Sequence, residues 1–256
     1  MPHVEVNGEQ LFYTVSRAAA SAPAMVLVHG AGGTHLHWSA GLRRLSGVSV
    51  YAIDLPGHGR SAGEGCDTVA GYAEAVAAFL RAVGVERAIV TGHSMGGAVA
   101  QTMALDFTAC VAGLVLVGTG GRLRVAPTIL EGIRADFAKS VELITRFAWS
   151  PETPPRLTEL GRQALVETGP DVLSGDFCAC DRFDVMERLG EIKVPTLIVT
   201  GTADQLTPVK YARFLAESIP GARLTTVEGA GHMVMLERPA EVETAVQEFL
   251  RDTEGD

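Results

Sequence analysis

The chain has 256 residues, 47% hydrophobic and 20% charged, the balance of one globular domain or one domain with an insertion, which excludes a coiled coil and a disordered chain. Its 21 Lys and Arg against 30 Asp and Glu leave a net charge of −9, which repels phosphate backbones and anionic lipid and so argues against nucleic acid or a membrane surface as partner. The four cysteines, Cys66, Cys110, Cys178 and Cys180, are few and irregularly spaced, no apolar run nears the roughly 20 residues of a membrane span, and the N-terminus has no leader pattern, so the expected location is cytoplasmic.

In chain order, residues 4–6 and 11–15 flank Asn7-Gly8, a hairpin signal that predicts an antiparallel pair at the start of the sheet. Short apolar runs follow at 24–29, 48–54, 88–91, 113–117, 196–200 and 223–227, the pattern of parallel strands covered on both faces. Helices are predicted at 69–83, with Thr68 as cap and Gly84 as stop, and near 95–107, 209–218 and 240–251. Strands alternating with helices imply βαβ crossovers and a mostly parallel sheet of eight strands. Residues 120–195 break the rhythm. Ile129, Ile133, Phe137, Val141, Ile144 and Ala148 recur there at helical spacing, and further helices are expected at 157–167 and 185–189, so this stretch is read as a helical insertion between core blocks 1–119 and 196–256.

Residues 87–98 read Arg-Ala-Ile-Val-Thr-Gly-His-Ser-Met-Gly-Gly-Ala, a G-x-S-x-G string directly after an apolar strand and before a helix. This is the context of a nucleophile elbow, where small residues at Gly92 and Gly96 let strand and helix close on a tight turn and push the Ser94 hydroxyl into the open. A serine hydroxyl becomes nucleophilic when a base takes its proton and an acid holds that base. Of seven histidines, only His232 lies in a loop straight after a late predicted strand, and Asp204 follows the strand before it. In a parallel sheet these loops open at the carboxyl edge with Ser94, and the order Ser94, Asp204, His232 is the one the elbow calls for. The loop His29-Gly30-Ala31-Gly32-Gly33 follows an earlier strand and can aim backbone N–H groups at a developing oxyanion; the two expected donors are the amides of Ala31 and Met95.

With these motifs in place, together with Asp54-Leu55-Pro56-Gly57-His58-Gly59-Arg60-Ser61 and Glu237-Arg238-Pro239 after His232, the whole chain resembles the α/β-hydrolases, of the small carboxylesterase and lipase-like kind. The resemblance implies an α/β fold with a helical cap at 120–195 and neither a metal nor an organic cofactor. It disfavours relatives with an aspartate nucleophile, because Ser94 occupies that position. The expected activity is hydrolysis of short- to medium-chain carboxylic esters through an acyl-enzyme on Ser94, a small-molecule ester being the partner. The same triad would serve a lactone, a thioester or a C–C bond beside a ketone, and a ligand-binding protein that keeps the fold without turnover is the remaining alternative. Oligomeric state is not readable.

Other features have plainer readings. Asp54 precedes the nucleophile in a Pro/Gly turn and is expected to fix that loop. His35 and His37 lack a further ligand cluster for metal and are read as loop or pocket-rim residues. Cys178 and Cys180 lack redox spacing, and Arg122 and Arg124 are read as solvated charges. Ile133, Phe137, Val141, Ile144 and Phe147 are expected to present an apolar surface to the cleft.

Overall fold

The computed structural model describes residues 2–19 and 22–253; Met1 and residues 254–256, at the outer ends of the expected core blocks, lie outside them. Eight strands form one sheet: β1 (His3–Val6), β2 (Glu9–Ser16), β3 (Ala24–Val28), β4 (Ser49–Ile53), β5 (Ala88–His93), β6 (Val111–Val117), β7 (Thr196–Gly201) and β8 (Arg223–Val227). Their order is β1-β2-β4-β3-β5-β6-β7-β8. Only the β1–β2 and β2–β4 pairings are antiparallel, so the 7–8 hairpin and the parallel remainder stand as the sequence predicts.

The strands are apolar throughout because both faces are covered. Along β3, Val26 and Val28 join a core with Phe79, Val99 and Met103 from α1 (Val69–Ala82) and α2 (Met95–Asp106). Met25 and Leu27 point the other way, against Trp38, Val246 and Phe249. This period-two alternation feeds two helical layers from one strand. Thr68 caps α1 by accepting from Gly71 N, and Gly84 ends it at φ +74°, as the sequence indicates.

Between β6 and β7 lie α3 (Pro127–Ala135), α4 (Phe137–Ala148), α5 (Pro155–Thr168) and α6 (Pro170–Arg182), then a 3-10 turn at Met186–Glu191. Two expectations need correction. The continuous helical periodicity from 129 to 148 is divided at Asp136 (φ −150°, ψ 82°), whose carboxylate caps α4 by accepting from Lys139 N at 3.1 Å. A side chain able to replace the backbone partner at a new helix start lets the chain turn without losing the apolar stripe. The second correction is α6, which the sequence reading missed. α7 (Val209–Ser218), α8 (Val234–Glu237) and α9 (Pro239–Thr253) complete the chain.

The inserted helices have a small core of their own: Ile129, Ile133, Val141, Ile144, Leu165 and Leu173. Such residues contribute about 2 kcal/mol each when buried. Ile133 and Val141 are therefore spent on holding α3 to α6 together, and of the five residues expected to face the cleft only Ile144 and Phe147 line it.

Candidate active site

Ser94 joins β5 to α2 at φ +52°, ψ −114°, a backbone region that costs a non-glycine residue about 1–3 kcal/mol. Asn7 is the other non-glycine residue at positive φ among the described residues, and it sits in the hairpin turn. The sterics behind the elbow are explicit. A Cβ at Gly92 would lie 2.0 Å from Gly96 O, and one at Gly96 would lie 2.2 Å from Val28 O, so glycine is required at both positions for strand and helix to meet.

Asp204 and His232 leave the carboxyl ends of β7 and β8 and meet over the same edge. His232 Nδ1 lies 2.9 Å from Asp204 Oδ2. The other carboxylate oxygen, Oδ1, accepts from Leu206 N and Thr207 N, both at 2.9 Å. Thr207 Oγ1 donates to Oδ2 at 2.7 Å and stands 3.2 Å from His232 Nδ1. Burial alone would raise the Asp204 pKa; the His232 ring and the Thr207 donors outweigh it and hold the carboxyl below its ordinary value. The aspartate is thus fixed as an anion with its charge directed at Nδ1, which leaves His232 Nε2 as the ring's basic atom. Ser94 and His232 both line one cavity. Among the described residues the Ser94 hydroxyl has no hydrogen bond, so its link to His232 is not closed in this state; such links tighten when substrate enters.

Thr207 is a residue the sequence reading missed. Its three-residue spacing from Asp204 is a turn signature that would have identified it. Replacing it by valine keeps the shape and removes one donor from the carboxylate. We expect kcat to fall about 3- to 10-fold with KM unchanged, read by steady-state kinetics; an unaltered kcat would leave Thr207 as packing only.

Glu237 was similarly unexplained. Its Oε2 accepts from Gly231 N at 3.0 Å, Ser150 N at 3.2 Å and Thr153 Oγ1 at 2.9 Å, tying the His232 loop to the segment after α4. His93 lies beneath, its ring 4.7 Å from that of His232, donating through Nε2 to His232 O at 3.1 Å. Burial and the neighbouring His232 push its pKa well down, so it supports the loop as a neutral ring.

The glycine loop after β3 is a tight turn closed by Gly33 N donating to Gly30 O at 3.0 Å. Ala31 lines the cavity, and Met95 opens the helix directly after the elbow. His29 donates through Nδ1 to Gly30 O at 2.8 Å and accepts at Nε2 from Leu55 N at 3.0 Å, which fixes the root of the turn.

The remaining sequence candidates separate. Asp54 is buried away from His232; it accepts from His35 N at 2.6 Å, His35 Nδ1 at 2.8 Å and Arg60 N at 3.0 Å, a loop-fixing role. His37 lines the cavity, and burial, reinforced by His58, lowers its pKa to about 4, so it is neutral at pH 7. Arg124 reaches the cavity rim and donates to Asp181 O at 2.7 Å, and Arg122 pairs with Asp184 at the surface. Cys180 also lines the cavity, and burial with nearby Asp176 pushes its thiol pKa up, the opposite of nucleophile activation. Cys178 and Cys180 are both free thiols. No group of His, Cys, Asp and Glu among the described residues could hold a metal, and no described helix is long and apolar enough to cross a membrane.

Asp54 also gives a pH dependence. Burial raises its pKa, but the bonds from His35 outweigh this and the net shift is downward, as for Asp204. A depressed folded pKa means that the unfolded chain binds the proton more tightly. The stabilisation is therefore present above the unfolded aspartate value of about 3.9 and is lost as pH falls through the folded one. Melting temperatures should already decline from pH 7 towards 5, because the unfolded chain protonates its histidines at about 6.5 while folded His29, His37 and His93 stay neutral. They should drop further below about pH 4 as the aspartates take up protons. Asp54→Asn should make that acid drop shallower.

The cavity has a volume of about 350 Å³, within the range of small-molecule sites. Ala31, Ser94, Thr207 and His232 line its core side; Ile129, Ile144, Phe147, Leu165 and Phe177 line the side formed by the inserted helices. A serine hydroxyl on a strained turn, a histidine paired with a buried carboxylate and an apolar acyl-sized space thus meet in one cavity.

Comparisons with known proteins agree with this reading of the fold. Residues 25–245 match the family model described as "Alpha/beta hydrolase family". The chain is 29% identical to the 2-hydroxy-6-oxo-6-phenylhexa-2,4-dienoate hydrolase of Comamonas testosteroni, over 91% of this chain and 89% of that one. It is 30% identical to the pimeloyl-[acyl-carrier protein] methyl ester esterase of Sodalis glossinidius, over 88% and 92% respectively. Among solved structures, a thermophilic esterase superposes with TM-score 0.87 at 36% identity, covering 98% of this chain and 97% of the other. The enol-lactonase of Burkholderia xenovorans LB400 superposes with TM-score 0.89 at 25% identity, covering 98% and 100%. By fold, by the matched span and by the hydrolases it resembles along its length, the chain belongs to the alpha/beta hydrolase family.

Proposed function

We propose that this hydrolase is a serine carboxylesterase for short- to medium-chain acyl esters, with residues 120–195 as its cap. The observation that carries the reading is the convergence of Ser94 on its strained elbow with the His232–Asp204 pair at the floor of an apolar cavity. His232 Nε2 takes the Ser94 proton as Oγ attacks the ester carbonyl. Asp204 stabilises the imidazolium, and the amides of Ala31 and Met95 hold the oxyanion. Collapse expels the alcohol with the proton from His232; water, activated by the same histidine, then releases the acid. The apolar lining favours an alkyl acyl chain, and the likeness to the thermophilic esterase supports that bond type.

The full-length similarity to a 2-hydroxy-6-oxo-6-phenylhexa-2,4-dienoate hydrolase and to an enol-lactonase supports a second reading, the same nucleophile acting on a C–C bond beside a ketone or on a lactone. A panel of p-nitrophenyl esters from acetate to decanoate, with lactones, thioesters and a dienoate ketone, separates the readings when wild type and Ser94→Ala are assayed together. The esterase reading expects the highest kcat/KM on a short or medium ester. Cleavage of the lactone or ketone alone would replace it, and no Ser94-dependent turnover of any member would end both.

A further inference from the structure

α6 buries a carboxylate that the mechanism does not use. Asp176 is 0% exposed, and three donors from the core converge on it: Gly32 N at 2.8 Å and His58 Nε2 at 2.8 Å on Oδ2, and Tyr72 Oη at 2.5 Å on Oδ1. His58 Nδ1 faces another acceptor, Pro56 O, at 3.0 Å. With acceptors at both nitrogens the ring carries two N–H groups, so His58 and Asp176 form a buried ion pair joining core to insertion. Burial works against the His58 charge, and Asp176 more than restores it, leaving the His58 pKa raised. The other groups around this imidazole include the neutral rings of His29, 4.8 Å away, and His37, the Tyr72 ring and the Asp54 carboxylate.

Gly32 is the residue after the expected oxyanion donor Ala31, and the inserted helices hold it from both ends of its backbone. Asp176 accepts from its N–H, while Thr168 Oγ1 at the end of α5 lies 3.1 Å from its carbonyl and 3.0 Å from Ala164 O and shares its one proton between them. Gly32 sits at φ +63°, and a Cβ there would lie 2.6 Å from Leu165 and 2.7 Å from Leu173, so α5 and α6 close directly on the turn. Gly30 and Gly33 are tied by the closing bond of that turn. The insertion thus grips the two peptide groups that follow Ala31, and with the turn closed on Gly30 this limits how the Ala31 N–H can be oriented.

We infer that Asp176 and Thr168 are positioning residues for the oxyanion site: the inserted segment, besides covering the cavity, holds the backbone on both sides of Gly32 so that the Ala31 N–H points at the developing negative charge. This inference rests on the serine-hydrolase reading above. A misplacement of about 1 Å in such a donor costs up to about 100-fold in rate, and a lost backbone strut costs about 3- to 10-fold.

The test uses Thr168→Val, Asp176→Asn and wild type, each at full length, with kcat expressed per active site titrated by a fluorophosphonate. Thr168→Val removes the strut on the Gly32 carbonyl and preserves shape. Asp176→Asn keeps an acceptor for Gly32 N but leaves the His58 charge unpaired. We expect kcat per titrated site to fall about 3- to 10-fold in Thr168→Val and about 10- to 100-fold in Asp176→Asn, with the ester KM within twofold. The Ki of a trifluoromethyl ketone, whose adduct with Ser94 places an oxyanion in the site, should rise by the same factors. A merely structural role would lower the number of titratable sites while leaving kcat per site and Ki at wild-type values, and that result in Thr168→Val alone overturns the inference. If wild type neither reacts with the fluorophosphonate nor binds the ketone, the serine-hydrolase reading fails first and this one falls with it.

Discussion

Ser94→Ala is expected to lower kcat on esters by on the order of 10⁴-fold or more, and Ser94→Gly to do the same while raising the melting temperature. The two variants differ because the elbow has two separable properties. Either substitution removes Oγ, so the acyl-enzyme cannot form and the fluorophosphonate finds no nucleophile. Only glycine relieves the backbone, since alanine at φ +52°, ψ −114° meets the same steric conflict as serine. Relief of about 1–3 kcal/mol, less about 0.5–1 kcal/mol for the greater freedom of glycine in the unfolded chain, leaves a net gain near 1 kcal/mol. For a chain of this length that corresponds to a Tm increase of about 2–4 °C. Calorimetry of wild type, Ala and Gly variants checks it. A glycine variant melting no higher than the alanine variant would show that the elbow stores no strain, and retained turnover in either would remove Ser94 from the nucleophile role.

The elbow was readable in advance because its requirement is local: strand, small residue, serine, small residue, helix, within a dozen positions. Asp204 and His232 were readable for a related reason, as each follows a strand whose carboxyl end the parallel topology brings to the same edge. Where a contact depends on partners distant in sequence, the residue string is silent. Asp176 lies 144 residues from Gly32, 118 from His58 and 104 from Tyr72, and nothing in the surrounding Ser174-Gly175-Asp176-Phe177-Cys178 distinguishes it from a surface aspartate. The helix carrying it went unrecognised because one of its inward positions is this carboxylate, which interrupts the apolar pattern that periodicity relies on. The opposite error arose at Asp136, where the apolar stripe continues through a break that a capping side chain satisfies. Thr207 lies between these cases: its proximity to Asp204 was visible, but its second contact, with His232, needed the fold.

Asp204→Asn is expected to reduce kcat by on the order of 10⁴-fold while the chain still folds, and the hydrogen bonds around this side chain explain why so small a change has so large an effect. Asparagine has one acceptor oxygen and one NH₂ group to place where the carboxylate presents two acceptors. Oδ1 receives two backbone donors, Leu206 N and Thr207 N, so an NH₂ there would meet two N–H groups with no acceptor. The amide oxygen is therefore forced to that position, and the NH₂ occupies the place of Oδ2. There it faces Thr207 Oγ1, which can rotate to accept, and His232 Nδ1. A donor opposite Nδ1 requires that nitrogen to be unprotonated, which moves the ring proton to Nε2, the atom that should receive the proton of Ser94. The packing survives and the base is lost. Kinetics should show the fall in kcat across neutral pH, with partial recovery at alkaline pH where hydroxide takes over the role of the base. ¹⁵N NMR of the imidazole should show the Nε2–H tautomer in the variant and Nδ1–H in wild type. A variant that keeps the Nδ1–H tautomer, or loses less than about tenfold in kcat, would assign the orientation of His232 to Thr207 and the loop rather than to the charge of Asp204.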